Sequence, residues 1–531
     1  MLGQGREKPL SSLIPIVAAL MVLSPASGLL FEIALATVYG TSATVDAFRV
    51  AYLVIGLGSQ LFVGLVLPNA LIPVLARSRA DGREEEGRAV AVLLVVAVGL
   101  LSIPLVAAAL VAPGPVIDLL GPGLDAAARA EGVSMVRAFS LIFFSMILLG
   151  AINCVLNVHR VFGLTHVNQI MINLLTVAVI FSIGRQVGGW AISIGMLAGA
   201  LVGLAIGLVQ LRGVTSGGSA GFRGNLFRPD LAAEYRKIAA VVVPLLALAV
   251  AGQWQVAIVN RVLSELPSGA LATFGYAYKM TAMVGILPLA LATVVFPSLS
   301  ELWGGEDHAK ARRLSTRAIT FTLLLIFPIV TLLSFAAKEA VAVVFQHGAL
   351  TDRDVDAISA AFLILVWSAM ANAFNALMMK ISYSARDGYG PLVQTLLLAV
   401  LATVLAAPFA RLWGVNGVTA LLTLSHTVLM AGYFIYLQLR YRVFELGYLA
   451  DVGSRILISA AVAAALTTAF LAGVGDLFGQ HFWGRLGKII ALSCVFVPAF
   501  GAAAYILKVP ELATVIGLLL RGARRVTGIF A

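Results

Sequence analysis

Charge is what this sequence has least of. Only 11% of its 531 residues are Asp, Glu, Lys or Arg, against 60% hydrophobic. Soluble domains carry about a quarter charged residues, so two or three soluble domains of this length are excluded for want of polar surface. Residues 89–117, 186–211, 318–337 and 412–439 contain no charged side chain at all. Each is long enough to cross a hydrocarbon core, which takes about 20 helical residues. Short alternating strands are also missing, which excludes a membrane barrel. In lipid every backbone N–H and C=O must bond within its own segment, so the apolar runs are helices. Cysteine is nearly absent: Cys154 and Cys494 stand far apart in apolar runs and match no redox or metal spacing. No nucleophile motif, nucleotide loop or metal cluster occurs, which argues against an enzyme and against any cofactor. The Gly/Ser-rich stretch at 214–221 lacks the Lys-Ser/Thr and the preceding strand of a phosphate loop and reads as a linker.

What charge there is punctuates the apolar runs. About fourteen spans can be drawn between the charged loops, the first near 9–38 and the last near 487–507. The first is too long for a cleaved signal core. The net charge of +11 does not point to nucleic acid, because the basic residues lie in those loops. Counted by side, 24 Lys and Arg fall on the side of the N-terminus and 8 on the other. That bias predicts both termini in the cytoplasm.

The chain repeats itself. Ile72-Pro73-Val74-Leu75 recurs 224 residues later as Phe296-Pro297-Ser298-Leu299, and at that offset Tyr52 falls on Tyr276. Val116 to Gly121 similarly parallels Val343 to Gly348. The predicted architecture is an all-α membrane protein with two pseudo-symmetric six-helix lobes and two extra C-terminal helices. The boundaries are 1–212 for the first lobe, 213–233 for a cytoplasmic linker and 234–440 for the second lobe. Residues 441–531 hold helices 13 and 14 and an amphipathic tail over 509–526. Paired lobes of this kind expose a central substrate site to each side in turn.

Several motifs then carry a resemblance. Tyr39-Gly40, Asp46-Ala47-Phe48, Gly275-Tyr276-Ala277 and Phe345-Gln346-His347-Gly348-Ala349-Leu350-Thr351 occur in that order. Tyr383-Ser384-Ala385-Arg386-Asp387 with Pro391, and Leu156-Asn157 with Asn173, accompany them. Together they resemble the MurJ/MviN family of lipid flippases, within a wider superfamily of flippases and cation-coupled exporters. The resemblance covers spans 1–12 and implies two six-helix lobes around a cavity that takes a lipid-linked glycan. The arginines that line this cavity in peptidoglycan-precursor flippases are replaced here by Pro25 and Phe31 in span 1, Ser59 and Gln60 in span 2, and Tyr278 in span 8. The acids Glu32 and Asp46 persist.

Four cations fall inside spans: Arg49, Arg137, Lys279 and Lys380. Each costs about 2.5–3.5 kcal/mol on insertion scales and needs a partner, water or a route to the interface. Lys380 and Arg137 lie near span ends and can snorkel. Lys279 lies near the midplane. Arg49 follows Asp46 by one helical turn, which allows those two to pair. Glu32 pairing with Lys279 is the structural alternative to a phosphate site. Gln253, Gln255 and Asn260 in span 7, with Gln60 in span 2, offer hydrogen bonds to sugar hydroxyls or serve as helix–helix glue. Pro25, Gly28 and Pro288 are candidate hinges.

The substrate-binding set is therefore Glu32, Asp46, Arg49, Gln60, Gln253, Gln255, Asn260, Tyr278 and Lys279, with no catalytic or metal residue. The resemblance implies a flippase for an undecaprenyl-diphosphate-linked glycan, either the peptidoglycan precursor or an exopolysaccharide or O-antigen unit. Its partners would be the lipid-linked oligosaccharide, membrane lipids and enzymes of cell-wall or polysaccharide synthesis. A cation-coupled small-molecule exporter and a non-transporting envelope-synthesis scaffold stand as alternatives.

Overall fold

Scarce charge and long apolar runs produce helix throughout. The computed structural model describes residues 10–59, 106–159, 161–215, 232–305, 307–474 and 477–513, with scattered positions between 63 and 104 and at 517. Among the described residues there are fifteen helices and no strand. In chain order they are α1 (Leu10–Tyr39), α2 (Ala43–Gly58), α3 (Pro113–Leu120), α4 (Ala126–Val158), α5 (Leu164–Val187), α6 (Trp190–Thr215), α7 (Ala232–Ser264) and α8 (Ala270–Val284). They continue as α9 (Ile286–Gly304), α10 (His308–Phe335), α11 (Ala337–Phe345), α12 (Asp352–Ser384), α13 (Tyr389–Tyr441), α14 (Leu446–Val474) and α15 (Phe482–Ile506).

Ten of the described helices are long and apolar enough to cross a membrane, or eleven if one bent pair is a single span. The expected linker and amphipathic tail fall largely outside the described residues. At 53 residues α13 would be about 80 Å long if straight, far beyond a hydrocarbon core of about 30 Å. It is broken at Trp413 and Gly414, whose φ/ψ are not helical, so it supplies two crossings. Span 8 is likewise divided into α8 and α9 at Gly285. The cause is Pro288: a helical proline has no N–H and its ring collides with the carbonyl four residues back, here Val284, where α8 ends. Pro25 and Gly28, by contrast, leave α1 unbroken.

The repeat is visible in the backbone itself. The short helices α3 and α11 come from the two matched segments that begin at Val116 and Val343. Each is followed by a capped 33-residue helix: Asp125 caps α4, and Thr351 with Asp354 forms a capping box on α12. The next helix pair is broken in both halves by a glycine in the same conformation. Gly188 has φ 55 and ψ −137, and Gly414 has φ 59 and ψ −136. A side chain disfavours this region, so glycine is required at both breaks.

The chain forms two compact units, one of residues 1–272 with 347–350 and one of 273–346 with 351–531. In the first, α4 supplies a dry centre with Phe139, Phe143 and Ile147, and Cys154 packs into the same cluster as Phe143 and Ile147. One end of its helix bundle is knitted by polar contacts. Arg129 forks onto Asp118 at 2.6 and 2.7 Å, Arg261 donates to the Leu119 carbonyl at 2.8 Å, and Ser264 Oγ accepts from the Gly123 N–H. These bonds place α7 with the first unit. In the second unit Phe374, Leu377 and Ile381 of α12 pack with Tyr433 and Leu437 of α13. A further cluster joins Leu324 of α10, Val452 and Ile456 of α14, and Phe496 and Phe500 of α15. Outward faces remain apolar: Val393, Leu397, Val400 and Val404 form an exposed stripe along α13. Large exposed apolar stripes on many helices are a lipid-facing surface.

Candidate functional site

The α1–α2 hairpin turns at Gly40 and Thr41, and Glu32 and Arg49 stand equally far from that turn on either side. In two antiparallel helices, residues equidistant from the turn lie level. The structure brings them together: Arg49 Nη1 donates to Glu32 Oε1 at 2.9 Å and Nη2 to Oε2 at 2.5 Å. Both side chains are mostly buried, at 15% and 6% exposure. Two parallel N–H···O bonds from a planar guanidinium are the strongest form such a pair takes. The pair sits about 9–10 Å along its helices from the turn. Aromatic rings surround it. Arg49 lies 5.6 Å from the Phe48 ring centre. Phe48 packs edge-on against Phe31 at 5.5 Å and Phe139 at 6.1 Å, and also meets Tyr52.

This pairing replaces the two sequence-based pairings. Glu32 takes Arg49 as its partner and not Lys279, and Asp46 is engaged elsewhere. Its carboxylate accepts the Gly269 N–H at 2.6 Å and the Ala272 N–H at 2.8 Å. It thereby satisfies open amides at the start of α8, where a helix also favours negative charge. The loop 347–350 meets the same hairpin: the Ala349 N–H donates to the Thr37 carbonyl at 2.9 Å. Gly348 has φ +74, and a Cβ on it would stand 2.2 Å from the Thr37 oxygen. Two motifs distant in sequence, Tyr39-Gly40 and His347-Gly348-Ala349, thus pack on one another. An open cavity of about 470 Å³ is lined by Val38, Tyr39, Ser42, Gly184, Arg185, Gly188, Gly348 and Ala349.

Lys279 lies nine residues into α8, about 14 Å from its start. It is half-buried, and no ion-pair or hydrogen-bond partner is found for it among the described residues. Its neighbour Tyr278 is 53% exposed and stacks on Phe274 at 5.7 Å. On α7, Gln253, Gln255 and Asn260 are all half-buried, and Asn260 spends its amide N–H on the Val256 carbonyl. Gln60 lies outside the described residues. Of the other intraspan cations, Lys380 rests 5.0 Å over the Phe296 ring and Arg137 is exposed. Asn375 accepts from Gln394 at 2.6 Å, a helix-to-helix link.

The lipid II flippase MurJ family matches residues 35–486, most of the chain. The chain belongs to the MurJ family. A probable lipid II flippase MurJ of Synechocystis sp. (strain ATCC 27184 / PCC 6803 / Kazusa) is 23% identical over 95% of this chain and 96% of the relative. One of Vibrio cholerae serotype O1 is 26% identical over 78% of this chain and 80% of its own length. The match to a probable lipid II flippase MurJ of Rhizobium meliloti (strain 1021), at 26%, spans 60% of that relative. Among solved structures, a lipid II flippase MurJ in an inward closed conformation superposes with a TM-score of 0.76 at 16% identity, covering 93% of this chain and 99% of that one. An inward-facing multidrug resistance MATE family transporter follows at 0.62 and 17%, covering 80% and 98%. The fold is thus that of MurJ, and the protein is a multi-pass protein of a bacterial inner membrane.

Two further features escaped sequence reasoning. Asp387 accepts from the Tyr389 and Gly390 N–H groups and from Tyr436, which pins the start of α13. Its place directly before a helix was the available signal. His426, in the second arm of α13, is an ionisable residue inside a charge-free span, and that alone singled it out.

Proposed function

We propose that this chain is an alternating-access flippase that moves an undecaprenyl-diphosphate-linked glycan from the inner to the outer leaflet of the bacterial inner membrane. Both termini face the cytoplasm, as the loop charge bias requires. No covalent bond is made or broken. The polar head crosses within the protein while the lipid tail stays in the bilayer. The observation that carries the reading is Lys279, a half-buried ammonium well inside a span with no counter-charge among the described residues. An intramembrane charge is costly to keep and marks a substrate path by default. An ammonium gives a diphosphate a mobile point charge. Arg49, in the first unit, offers a fork to an anionic group that displaces Glu32 from the guanidinium. That exchange of one carboxylate for a phosphate keeps the arginine neutralised in both states. Gln253 and Gln255 offer amides to sugar hydroxyls. An inside-negative potential favours outward movement of an anionic head by about 2.3 kcal/mol per charge per 100 mV.

The peptidoglycan precursor is the first substrate to test, since the relatives named above carry the description probable lipid II flippase. The replaced arginines make an exopolysaccharide unit on the same carrier the second. The test is complementation of a strain depleted of its own lipid II flippase, using the native chain, Lys279→Gln and Lys279→Met. The native chain supports growth and both variants fail. Full activity with both removes Lys279 from the mechanism. Failure of the native chain, with flipping of a polysaccharide-linked carrier in vesicles, selects the second substrate.

A further inference from the structure

Among the described residues, three that are not glycine have positive φ: Arg386 at 59, Arg442 at 50 and Lys508 at 54. All three are cations, and each ends a helix. Arg386 follows α12, Arg442 caps α13 and Lys508 follows α15. Two of them stand in the same motif. The Arg386 N–H donates to the Tyr383 carbonyl at 3.1 Å, and the Asp387 N–H to that of Ser382 at 2.8 Å. The Lys508 N–H donates to the Tyr505 carbonyl at 3.0 Å, and the Val509 N–H to that of Ala504 at 2.9 Å. Such a pair of bonds closes a helix around one left-handed residue, and glycine is its usual occupant. Where another type takes this conformation, Asn, Asp and His are the enriched ones. Attraction to the last helix carbonyls only offsets a strain that glycine would avoid altogether. Something outside the chain is left to favour cations at all three ends.

The three ends lie on one side of the membrane, because α13 crosses out and back and α14 with α15 does the same. All three side chains are exposed, and an exposed apolar stripe leads to each. Val404, Val400, Leu397 and Val393 run along α13 to Tyr389, which is 76% exposed and three residues from Arg386. Leu424, Val428, Ile435 and Leu439 run down the second arm to Arg442. Beside it Arg440 lies 5.7 Å from the Tyr441 ring centre. Ile490, Val497 and Tyr505 run along α15 to Lys508. Tyrosines and cations at the ends of lipid-facing stripes stand at headgroup level. The acids nearby are already engaged. Asp387 is buried and accepts from the Tyr389 and Gly390 N–H groups and from Tyr436. Glu445 is paired with Arg313 at 3.7 Å and Asp451 with Arg455 at 2.8 Å. Glu511 is buried, accepting from Thr320 and Tyr448.

We infer that Arg386, Arg442 and Lys508 hold the phosphate groups of anionic phospholipids in the leaflet on that side, which is cytoplasmic on the orientation proposed above. The acyl chains lie along the exposed stripes. An arginine fork takes two phosphate oxygens, and a lysine gives a point contact. A zwitterionic headgroup carries its own cation beside the phosphate, so a net negative head is preferred. The surface lies wholly in the second unit and is independent of which glycan is moved.

Two measurements on the full chain test it. In vesicles, spin-labelled phosphatidylglycerol and phosphatidylcholine are compared for association with the protein. The native chain prefers phosphatidylglycerol several-fold, and salt weakens the preference. The triple variant Arg386→Gly, Arg442→Gly, Lys508→Gly loses most of it, whereas Arg386→Lys with Arg442→Lys and Lys508→Arg keeps it. A native chain without preference, or a glycine variant that retains it, overturns the surface. Should the glycine variant not assemble, the three glutamine substitutions decide by the same loss. Thermal unfolding in nanodiscs then separates lipid binding from a role in the helix ends. Phosphatidylglycerol raises the native midpoint and leaves that of the glycine variant unmoved. In phosphatidylcholine alone the glycine variant melts no lower than the native chain, since the strain is gone. A glycine variant that melts lower by the same amount in both nanodiscs assigns the cations to the helix ends alone and overturns the proposal.

Discussion

Glu32→Gln removes one charge from a pair that the surrounding rings shield from water. Arg49 then keeps its charge, 15% exposed, with a neutral amide in place of a carboxylate. Removing one partner of a buried ion pair costs about 3–5 kcal/mol. Because Arg49 retains some exposure and its contact with Phe48, the lower end applies. About 3 kcal/mol is a change of roughly a hundredfold or more in the folded-to-unfolded ratio of the first unit. The double variant Glu32→Gln with Arg49→Gln leaves two amides able to bond one another, and stability returns to within about 1 kcal/mol of native. Thermal unfolding of the three proteins in the same detergent measures both steps. Complementation then separates structure from transport. The double variant folds yet fails to support growth, because the diphosphate has lost its fork. Equal stability of Glu32→Gln and the native chain refutes the shielded pair, and growth with the double variant refutes a role for Arg49 in binding the head.

Two further outcomes follow from the same hairpin. Asp46→Ala frees two amides that are now bonded at 2.6 and 2.8 Å. The expected loss is about 1–3 kcal/mol, with roughly half of it recovered by Asp46→Asn, and hydrogen exchange at Gly269 and Ala272 speeds accordingly. Unchanged exchange at both amides refutes the contact. Gly348→Ala meets the Thr37 carbonyl and a φ of +74 together. It costs about 1–3 kcal/mol and releases the Ala349 amide, seen as faster exchange there but not at α12.

The MurJ-type fold was legible because lipid makes secondary structure a local matter. With no water to bond the backbone, each charge-free run satisfies its own N–H and C=O groups, so composition alone specifies helices. The repeat was legible too, in Pro73 and Pro297 and in the two segments from Val116 and Val343, and the matched breaks at Gly188 and Gly414 give it physical form. The break at Gly285 could be read from Pro288 four residues after Val284. Individual partners could not. Arg49 was assigned to Asp46 by helical spacing, yet its fork reaches Glu32, because the rotation of α1 against α2 decides which side chains face.

Local order was thus set by the sequence: where helices run, where they stop and how often the pattern recurs. Contacts across 223 and 226 residues from Asp46 to the start of α8, or from Thr37 to Ala349, depend on how rigid helices settle against each other. The periodicity of a single helix says which face is apolar. It carries no information about the depth and angle at which another helix meets that face, and those two quantities choose the partner of every buried charge.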